Sequence, residues 1–600
     1  MSKTIGGISY KTINGKRYAY YQWCEDGKQR SRRVRDDEIE QLQTQIDAAK
    51  KAQASKRVAD SYDSGTAPYD LSGAYNYGAY GYGAAESTGY YFHSYVRIGE
   101  DLDRFAQGVA GLHERFCIER LRSYLGGDYA GVFILYGLRR TGKTTMIRQV
   151  LLHMDDDERS HAAFLQVRNG QKLAELNQDL RYLERQGYRY VFIDEVTLLD
   201  DFIEGAALFS DVFASSGMKI VLSGTDSLGF VFSEDEQLYD RCELLHTTFI
   251  SYKEFEEVLG IADIDAYIRY GGTMSVSGRD YNKASTFATP KKTNEYIDAA
   301  IAHNIQHSLK NYQYAGHFRN LQDLYEAGEL TSVINRVVED VNHRFVLDVL
   351  SRDFVSSDLQ ISAKNLRSDR EHASDALDRV NIHDVTSRLK KLLDIRDADE
   401  RALTLTQAHV CEIREYLELL DLTQEISVRF MGCAQETTFC TAIAQPGLRF
   451  SQAEALIGAL LEDEYFSELS FDERRMLKKR IISEISGRML EDIILLETQL
   501  AASDAAGAVD VFKLQFAVGE FDMVIAEPDT GRCRIYEIKH SNKRAKEQYR
   551  HLVSKKLCEQ FEHRYGEIVE RVVLYRGEST AVNTDGVRYI NVEEYLRGLS

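Results

Sequence analysis

The segment "GLRRTGKTT" at residues 137–145 constrains the fold more than any other part of this 600-residue chain. It fits Gly-x-x-x-x-Gly-Lys-Thr, the pattern of a loop that binds nucleotide phosphates. The apolar run "GVFILYG" (131–137) before it predicts a buried strand, and "TMIRQVLLHM" (145–154) after it predicts a helix. Because the pattern requires this order of strand, loop and helix, the sequence predicts an α/β domain that binds a nucleotide.

The loop residues have distinct physical tasks. Gly137 and Gly142 allow the backbone to curl so that its N–H groups face phosphate. Lys143 reaches the β- and γ-phosphates and is a predicted catalytic residue, while Thr144 offers its hydroxyl to magnesium. The N-terminus of the following helix adds a favourable dipole for the phosphate charge.

Two further apolar runs end at polar residues that we expect beside the loop. Asp194 ends "YVFI" and is predicted to hold magnesium, and Glu195 is predicted to position and deprotonate the attacking water. The alternative is that the two acids only cap a strand. In "VLSGTDS", Ser223 or Thr225 could sense the γ-phosphate, or the segment is a plain turn. The predicted nucleotide-binding residues are Gly137, Arg140, Thr141, Gly142, Lys143, Thr144, Thr145, Asp194 and Ser223.

The predicted nucleotide is ATP, bound with Mg²⁺. The chain contains neither Asn-Lys-x-Asp nor Thr-Lys-x-Asp, the signatures that read guanine. Arg241 in "YDRCELL" is a candidate for stabilising the transition-state charge. A surface arginine or an ion-paired arginine is the favoured alternative for that position.

A second candidate site lies near the C-terminus, in "YEIKHS". Glu537 and Lys539 are two residues apart on a predicted strand, so they share one face. Asp522 opens the preceding strand "MVI" across a short hairpin, and Glu491 lies on a predicted helix before it. The three acids are predicted to bind magnesium and Lys539 to steady phosphate charge, all four as catalytic residues of a phosphodiesterase. The alternative is an amphipathic strand with an ion pair, because Glu-x-Lys is common on such strands.

A charged segment follows this site. "SNKRAKEQYRHLVSKK" (541–556) predicts a helix within 542–562. Its lysines and arginines could face phosphates, and Gln548 and Tyr549 could contact DNA or orient the site. A solvated helix face explains the charges equally well.

The N-terminal piece is unlike the rest in charge. Residues 1–35 hold nine Lys or Arg and two acids, a balance of +7 in a chain of net charge −20. Asn14-Gly15 and Asp26-Gly27 separate three Tyr-, Ile- or Val-bearing runs, which predicts a three-stranded meander followed by a helix. The pattern loosely resembles three-stranded DNA-binding modules at integrase N-termini. A protein-docking module is the alternative.

Several segments together resemble a known family. "GLRRTGKTT", "FIDEVTLLDD", "KIVLSGTDSL" and "ISYKEFEEV" resemble bacterial and archaeal AAA+-like P-loop ATPases. Members of that family commonly carry a C-terminal winged helix and a restriction-endonuclease-like PD-(D/E)xK core. Here "IREYLELLDLTQEISV" and "TAIAQPGLR" resemble the winged helix, and "GRMLEDIILLE", "GEFDMVI" and "YEIKHS" resemble the nuclease-like core. The resemblance spans roughly residues 100–575. It implies an ATPase, but it does not indicate a physiological role. Leu138 stands where the family often has Pro, and "ISYKEF" lacks the Pro before its Ser.

The predicted fold is therefore an α/β multidomain chain. Its expected parts, in order, are a basic β-meander plus helix module (1–58), a Gly/Tyr-rich linker (59–94), the P-loop ATPase core (95–260), a helical lid or coupling region (261–395), a winged-helix-like unit (396–450) and a restriction-endonuclease-like domain (451–600).

Composition excludes some classes of function. The chain has no run of ~18 apolar residues, so no membrane partner is expected, and its first residues lack an apolar signal core. Eight cysteines without a Cys-x-x-Cys pair argue against structural zinc and favour a reducing, cytoplasmic setting. We expect a homo-oligomeric ATPase that acts on nucleic acid, with DNA favoured, in a role such as defence against mobile elements. The alternatives are an ATP-switched regulator with an inactive nuclease core, and a toxin-like or signalling ATPase without a nucleic-acid partner.

Overall fold

The structure is a computed structural model with two compact units, residues 1–81 and residues 82–600. In the first unit it describes the backbone of three strands. In the second it describes residues 90–599 apart from 169, 200, 226–229, 231–237, 275–284, 303, 307–308, 310–317, 353–386, 389–390, 392–405, 432–436, 468, 504–507 and 518. The helix expected within 36–58 and the linker up to residue 89 lie outside the described residues.

The first unit contains an antiparallel meander. Its strands are β1 (Gly7–Ile13), β2 (Lys16–Glu25) and β3 (Lys28–Val34), and β2 lies in the centre. Both connections are two residues long and have the sequences Asn-Gly and Asp-Gly, which favour tight hairpins. The predicted meander is therefore confirmed.

The second unit begins with a six-stranded sheet in the order β4-β6-β7-β8-β5-β9. Its strands are β4 (Tyr95–Arg97), β5 (Val132–Tyr136), β6 (Ala162–Gln166), β7 (Tyr190–Asp194), β8 (Lys219–Gly224) and β9 (Cys242–His246). All neighbours pair in parallel except β4, which runs antiparallel to β6. The strands expected from the runs "GVFILYG", "YVFI" and "VLSGTDS" are confirmed as β5, β7 and β8.

The sheet is buried on both faces. Along β5, Val132 and Ile134 pack into one apolar cluster, and Phe133 and Leu135 pack into another on the opposite face. This explains why the strand reads as a continuous apolar run rather than an alternating one. Since β5, β7 and β8 are parallel, their carboxyl ends meet at one edge, where ligands bind in such sheets.

Helices cover the sheet and continue through the rest of the chain. Up to residue 352 they are α1 (Gly99–Gln107), α2 (Ile118–Gly126), α3 (Lys143–His153), α4 (Asp156–Ser160), α5 (Leu173–Arg185), α6 (Phe202–Gly205), α7 (Tyr252–Leu259), α8 (Ile264–Tyr270), α9 (Pro290–Ile297), α10 (Arg319–Glu326) and α11 (Leu330–Arg352). After the long gap they are α12 (Gln407–Leu419), α13 (Pro446–Leu461), α14 (Glu464–Ser467), α15 (Phe471–Ser503), α16 (Lys555–Tyr565) and α17 (Val592–Arg597).

A seven-stranded sheet forms the C-terminal part, in the order β11-β10-β12-β13-β14-β15-β16. Its strands are β10 (Thr423–Met431), β11 (Thr437–Ile443), β12 (Asp510–Phe516), β13 (Glu520–Glu527), β14 (Arg532–Lys539), β15 (Glu567–Tyr575) and β16 (Val587–Asn591). The antiparallel β13–β14 hairpin is the one expected around the second candidate site. Helix α15 packs on this sheet through Leu490 and Ile494, in one cluster with Met523 and Tyr536.

Three local expectations need correction. Strands β10 and β11, assigned to a separate winged-helix-like unit, pair with each other and extend the C-terminal sheet, because β10 runs parallel to β12. The run "CTAIAQPGLRF" (440–450) predicts a single strand, but the strand ends at Ile443, since Pro446 opens α13, a position that favours proline. The helix expected within 542–562 is a short 3-10 turn followed by α16, which starts only at Lys555.

Candidate ATP site and candidate metal centre

The phosphate-binding loop lies between the end of β5 and the start of α3. Gly137 and Gly142 have φ values of +136° and +94°, which favour glycine. At Gly137 a side chain is also excluded by space, since an added Cβ would lie 2.7 Å from Thr247 Oγ1. Helix α3 then begins at Lys143, so its first N–H groups point toward the loop. The two glycines therefore allow the curled backbone that the sequence predicted, and Gly137 also allows the close approach of Thr247.

Lys143 is buried and folded back onto the loop. Its Nζ donates to the carbonyl oxygens of Gly137 at 2.8 Å and Leu138 at 2.9 Å. Burial lowers the pKa of Lys143 to about 8, although Glu195 and Asp194 act in the opposite direction. The ammonium thus lies within the loop without a direct carboxylate contact, where it can exchange carbonyl oxygens for phosphate oxygens.

The predicted magnesium ligands meet at the sheet edge. Thr144 Oγ1 donates to Asp194 Oδ2 at 2.8 Å, and Ser223 Oγ donates to Asp194 Oδ1 at 2.5 Å. The strand order explains the meeting, because β8 lies between β5 and β7 and places Ser223 beside Asp194. Asp194 is 4% exposed, so its orientation depends on these two hydroxyls and on the backbone N–H of Glu195.

Glu195 lies where a general base would be needed. It has a left-handed φ of +55°, and Thr225 Oγ1 donates to its Oε2 at 3.4 Å. Burial and the neighbouring Asp194 raise the pKa of Glu195, which brings the carboxyl closer to the range of a general base. Ser223 and Thr225, the two candidate phosphate sensors, thus contact Asp194 and Glu195, respectively.

The remaining predicted residues of this region differ in their surroundings. Thr141 is buried, whereas Thr145 is partly buried in the first turn of α3. Arg140 is exposed and left-handed, with φ +66°, and its guanidinium donates to Thr286 Oγ1 at 3.1 Å. Arg241 forms a surface ion pair with Asp211.

Sequence reasoning missed three residues that hold the phosphate-binding loop through contacts with Leu138 and Thr141. Leu138 N donates to Thr248 Oγ1 at 3.1 Å, and Thr141 Oγ1 lies 2.8 Å from Thr247 Oγ1. Arg115 donates to the carbonyl of Thr141 at 2.8 Å. Thr247 and Thr248 directly follow β9, so a polar pair after the short run "CELLH" was the available signal.

The C-terminal site is built around Asp522 and Lys539. Asp522 is 2% exposed, and its Oδ2 accepts from Ile538 N at 2.8 Å and from Lys539 Nζ at 3.3 Å. Burial raises the pKa of Asp522, although Lys539 opposes the shift. The hairpin therefore brings the predicted acid and lysine together.

Glu537 lies on the same lysine. Its Oε1 is 3.1 Å from Lys539 Nζ, whereas its Oε2 is buried without a hydrogen-bond partner. Burial and the neighbouring Asp522 raise the pKa of Glu537 well above its usual value. Because Asp522 and Glu537 contact one ammonium, their oxygens lie no further apart than the two contact distances combined.

Glu491 joins the cluster through different cations. Its Oε2 accepts from Arg488 Nη1 at 2.6 Å and from Lys513 Nζ at 3.2 Å. Burial alone would raise the pKa of Glu491, but Lys513, Arg488 and Lys539 lower it to about 2. Lys513 is 1% exposed and also contacts Glu520 at 3.2 Å. Both Lys513 and Glu520 are site residues that sequence reasoning missed.

The donor set fits a divalent cation in part. Carboxylate oxygens are the ligands that magnesium prefers, and the unpartnered Oε2 of Glu537 is a buried oxygen that a cation would satisfy. Within the part of the chain that the structure describes, no three His, Cys, Asp or Glu side chains are grouped closely enough to hold a metal. Asp522 and Glu537 are therefore the two candidate ligands that share a contact with Lys539, whereas Glu491 is bound to Arg488 and Lys513.

Gln548 and Tyr549 face the protein rather than the acids. Tyr549 is buried, and its hydroxyl donates to Asp585 at 2.8 Å. Gln548 donates to Lys543 O at 2.9 Å and accepts from the Tyr589 hydroxyl at 3.1 Å. Both side chains thus hold the 3-10 turn in place.

The parallel sheet, the phosphate-binding loop and Asp194 define a P-loop nucleotide-binding domain. Residues 130–256 match the family model of the AAA domain, which supports ATP binding and ATPase activity. No curated protein matches the chain. Among the described residues, no helix is both long and apolar enough to cross a membrane.

Two solved structures show weak likeness to the whole chain. The S. cerevisiae Hsp104:casein complex aligns at 15% identity and TM-score 0.23, covering 36% of this chain and 40% of that one. The Aeropyrum pernix ORC1 protein in complex with DNA aligns at 15% identity and TM-score 0.21, covering 61% of this chain and 98% of that one. At these TM-scores the two likenesses define neither the fold nor the function of this chain.

Proposed function

We propose that this chain hydrolyses ATP and acts on DNA through a magnesium-dependent, nuclease-like site of the PD-(D/E)xK type. The ATPase part is supported by the AAA domain match and by the Thr144–Asp194–Ser223 contacts. The nuclease part depends on one observation, the buried and unpartnered Oε2 of Glu537 beside Asp522 and Lys539. The cytoplasm as its location and a homo-oligomer as its assembly belong to the same proposal.

In the ATP site, each side chain has a defined task. Lys143 leaves the carbonyls of Gly137 and Leu138 to bind phosphate oxygens, which neutralises charge that develops on transfer. Glu195 orients the attacking water and accepts its proton, aided by its raised pKa. Thr144 and Asp194 would hold magnesium, which supplies charge neutralisation between the phosphates when bound.

In the C-terminal site, Asp522 and Glu537 would hold magnesium, which when bound activates a nucleophile and polarises the phosphodiester. Lys539 would turn from the two carboxylates toward the phosphate, because a bound cation takes over their charge. The Ile538 N–H keeps Asp522 oriented during that change.

The test is cleavage of plasmid, single-stranded DNA and RNA with Mg²⁺ or Mn²⁺, with and without ATP. We expect nicking or cutting of DNA by the wild type and its loss in Asp522→Asn. The matched control is Asp529→Asn, since Asp529 is exposed in the turn of the same hairpin. Equal cleavage by wild type and Asp522→Asn would show that the nuclease assignment is wrong.

A second candidate function is supported by the surroundings of Glu491. Arg488 and Lys513 already neutralise its carboxylate, as in a site that has become structural. The chain would then be an ATP-switched regulator that binds DNA or protein without cutting. DNA binding that depends on ATP, with no cleavage under any of the conditions above, would favour this alternative, while unchanged binding in Lys143→Ala would contradict it.

A further inference from the structure

A buried arginine lies beneath the phosphate-binding loop, outside the predicted ATP site. Arg115, in the segment between α1 and α2, is 5% exposed. Its Nη1 donates to the carbonyls of Thr141 and Thr247, both at 2.8 Å, and its Nη2 donates to the carbonyl of Phe249 at 2.9 Å. One guanidinium thus binds the loop to the segment that follows β9.

The same guanidinium is held by Glu254 of α7. Arg115 Nε donates to Glu254 Oε1 at 2.9 Å, and Nη2 donates to Oε2 at 2.8 Å, which is the bidentate geometry of a strong pair. Glu254 Oε1 also accepts from the backbone N–H of Phe116 at 2.9 Å. With these contacts, the five N–H groups of Arg115 all have acceptors, a set that lysine with three donors cannot reproduce.

The position of the contact matters for nucleotide binding. Thr141 directly precedes Gly142 and Lys143, the residues that turn toward phosphate. An added Cβ on Gly142 would lie 3.4 Å from the Cδ of Arg115, so the arginine stem lies directly against this turn. A shift of Thr141 would move the N–H groups and the lysine that must meet the phosphates together.

We propose that Arg115 is a positioning residue of the ATP site, and that Glu254 orients it. This inference rests on the ATPase activity of the proposed function. Arg115 is placed to hold the carbonyl side of the loop, so that the opposite, N–H side stays preformed for phosphate. A buried ion pair is weak evidence for added stability in itself, but such pairs can hold a segment in a required register.

The test compares variants in MgATP affinity, kcat and thermal stability. Removing one partner leaves a buried charge unpaired and can prevent folding, so the main variant is the double change Arg115→Met/Glu254→Leu. We expect it to fold with a lowered Tm, because three backbone carbonyls lose their donor, and in the folded state to bind MgATP at least tenfold more weakly with a kcat at least tenfold lower. Arg115→Lys should reproduce part of the defect, because it keeps the charge but loses two donors.

The matched control is Arg120→Gln, since Arg120 pairs with Glu243 at the surface. It should leave MgATP affinity and kcat unchanged. A folded double variant or a folded Arg115→Lys variant with wild-type affinity and kcat would overturn the proposal. If the wild type itself hydrolyses no ATP while binding MgATP, the proposed ATPase activity fails, and the affinity comparison still decides the role of Arg115.

Discussion

The ATP site and the C-terminal site each place a lysine beside acids, but the two lysines have opposite surroundings. Lys143 donates to two carbonyl oxygens, and burial lowers its pKa to about 8. Lys539 contacts the carboxylates of Asp522 and Glu537; burial alone would lower its pKa, yet the two carboxylates raise it well above the usual value. The first ammonium donates to carbonyl oxygens and interacts with Glu195 and Asp194 only through space, whereas the second contacts two carboxylates directly.

This difference indicates whether each site would bind an anion or a cation. Lys143 gains most from an incoming anion, which the phosphates of ATP supply. Around Lys539 the unsatisfied atom is an oxygen, Oε2 of Glu537, which gains most from a cation. The ATP site therefore leaves its lysine on carbonyl oxygens that phosphate can replace, while the C-terminal site leaves a buried carboxyl oxygen without a hydrogen-bond partner.

Removing Lys143 should have the largest effect on the ATP site. Lys143→Ala should lower ATP turnover by on the order of 10²–10³-fold, the usual cost of losing a preorganised charge-stabilising group. Steady-state phosphate release measures the change. Lys172→Ala is the control, because Lys172 is exposed before α5. Turnover above a tenth of the wild-type rate in Lys143→Ala would contradict the phosphate-site assignment.

The next test concerns the positive charges around Glu491. Lys513→Ala removes the lysine that contacts both Glu520 and Glu491, so we expect a loss of about 3 kcal/mol in the free energy of unfolding. The double variant Lys513→Met/Glu491→Gln should recover part of it, since the buried charge is removed with its partner. Urea unfolding followed by tyrosine fluorescence measures both, and equal stability of the single variant and wild type would contradict the expected role of Lys513.

The parts of the fold that could be predicted have local signals. β5, the loop and α3 occupy contiguous residues, and each apolar run ended where the strand ends. The position of β8 between β5 and β7 could not be read, because strand order depends on packing between distant segments. For the same reason, nothing local showed that β10 extends the C-terminal sheet.

The site residues also differ in whether a local sequence signal could predict them. Asp194 and Asp522 could be predicted from their places at strand termini. Arg115 could not, because an arginine in a polar stretch carries no local signature, and its partner Glu254 is more than a hundred residues away. Lys513 had a weak signal that was overlooked, a lysine inside the apolar run "DVFKLQF".

A smaller effect should distinguish two glutamates on α15. Glu491 has its pKa lowered to about 2, while burial raises the pKa of Glu497 to about 8, although the N–H of Tyr252 and the Tyr267 hydroxyl oppose the shift. The protonated form of Glu497 is therefore favoured in the folded state. Its stabilising contribution is complete below the unfolded pKa near 4.5 and is lost as pH rises to about 8.

We expect the free energy of unfolding to fall by about 2 kcal/mol between pH 6 and 8 in the wild type. Glu497→Gln should remove most of this slope, because the amide oxygen can still accept from Tyr252 N. Urea unfolding at pH 6, 7 and 8 measures it, with the exposed Glu559→Gln as the control. The same slope in Glu497→Gln and wild type would contradict the raised pKa of Glu497.

The smallest expected effect is the pH dependence of nucleotide affinity that Lys143 should cause. Its charged form binds phosphate, and its pKa in the free protein is about 8, so nucleotide affinity should be complete below pH 8 and fall as the lysine loses its proton. Linkage predicts about a fivefold loss of MgATP affinity between pH 8 and 9. Isothermal titration calorimetry in two buffers of different ionisation enthalpy should also show proton uptake on binding at pH 9.

In Lys143→Arg, which stays charged, the affinity should be independent of pH in this range. A pH-independent affinity in the wild type would mean that Lys143 is already charged in the free loop, and the two lysines would then differ in their partners but not in their protonation.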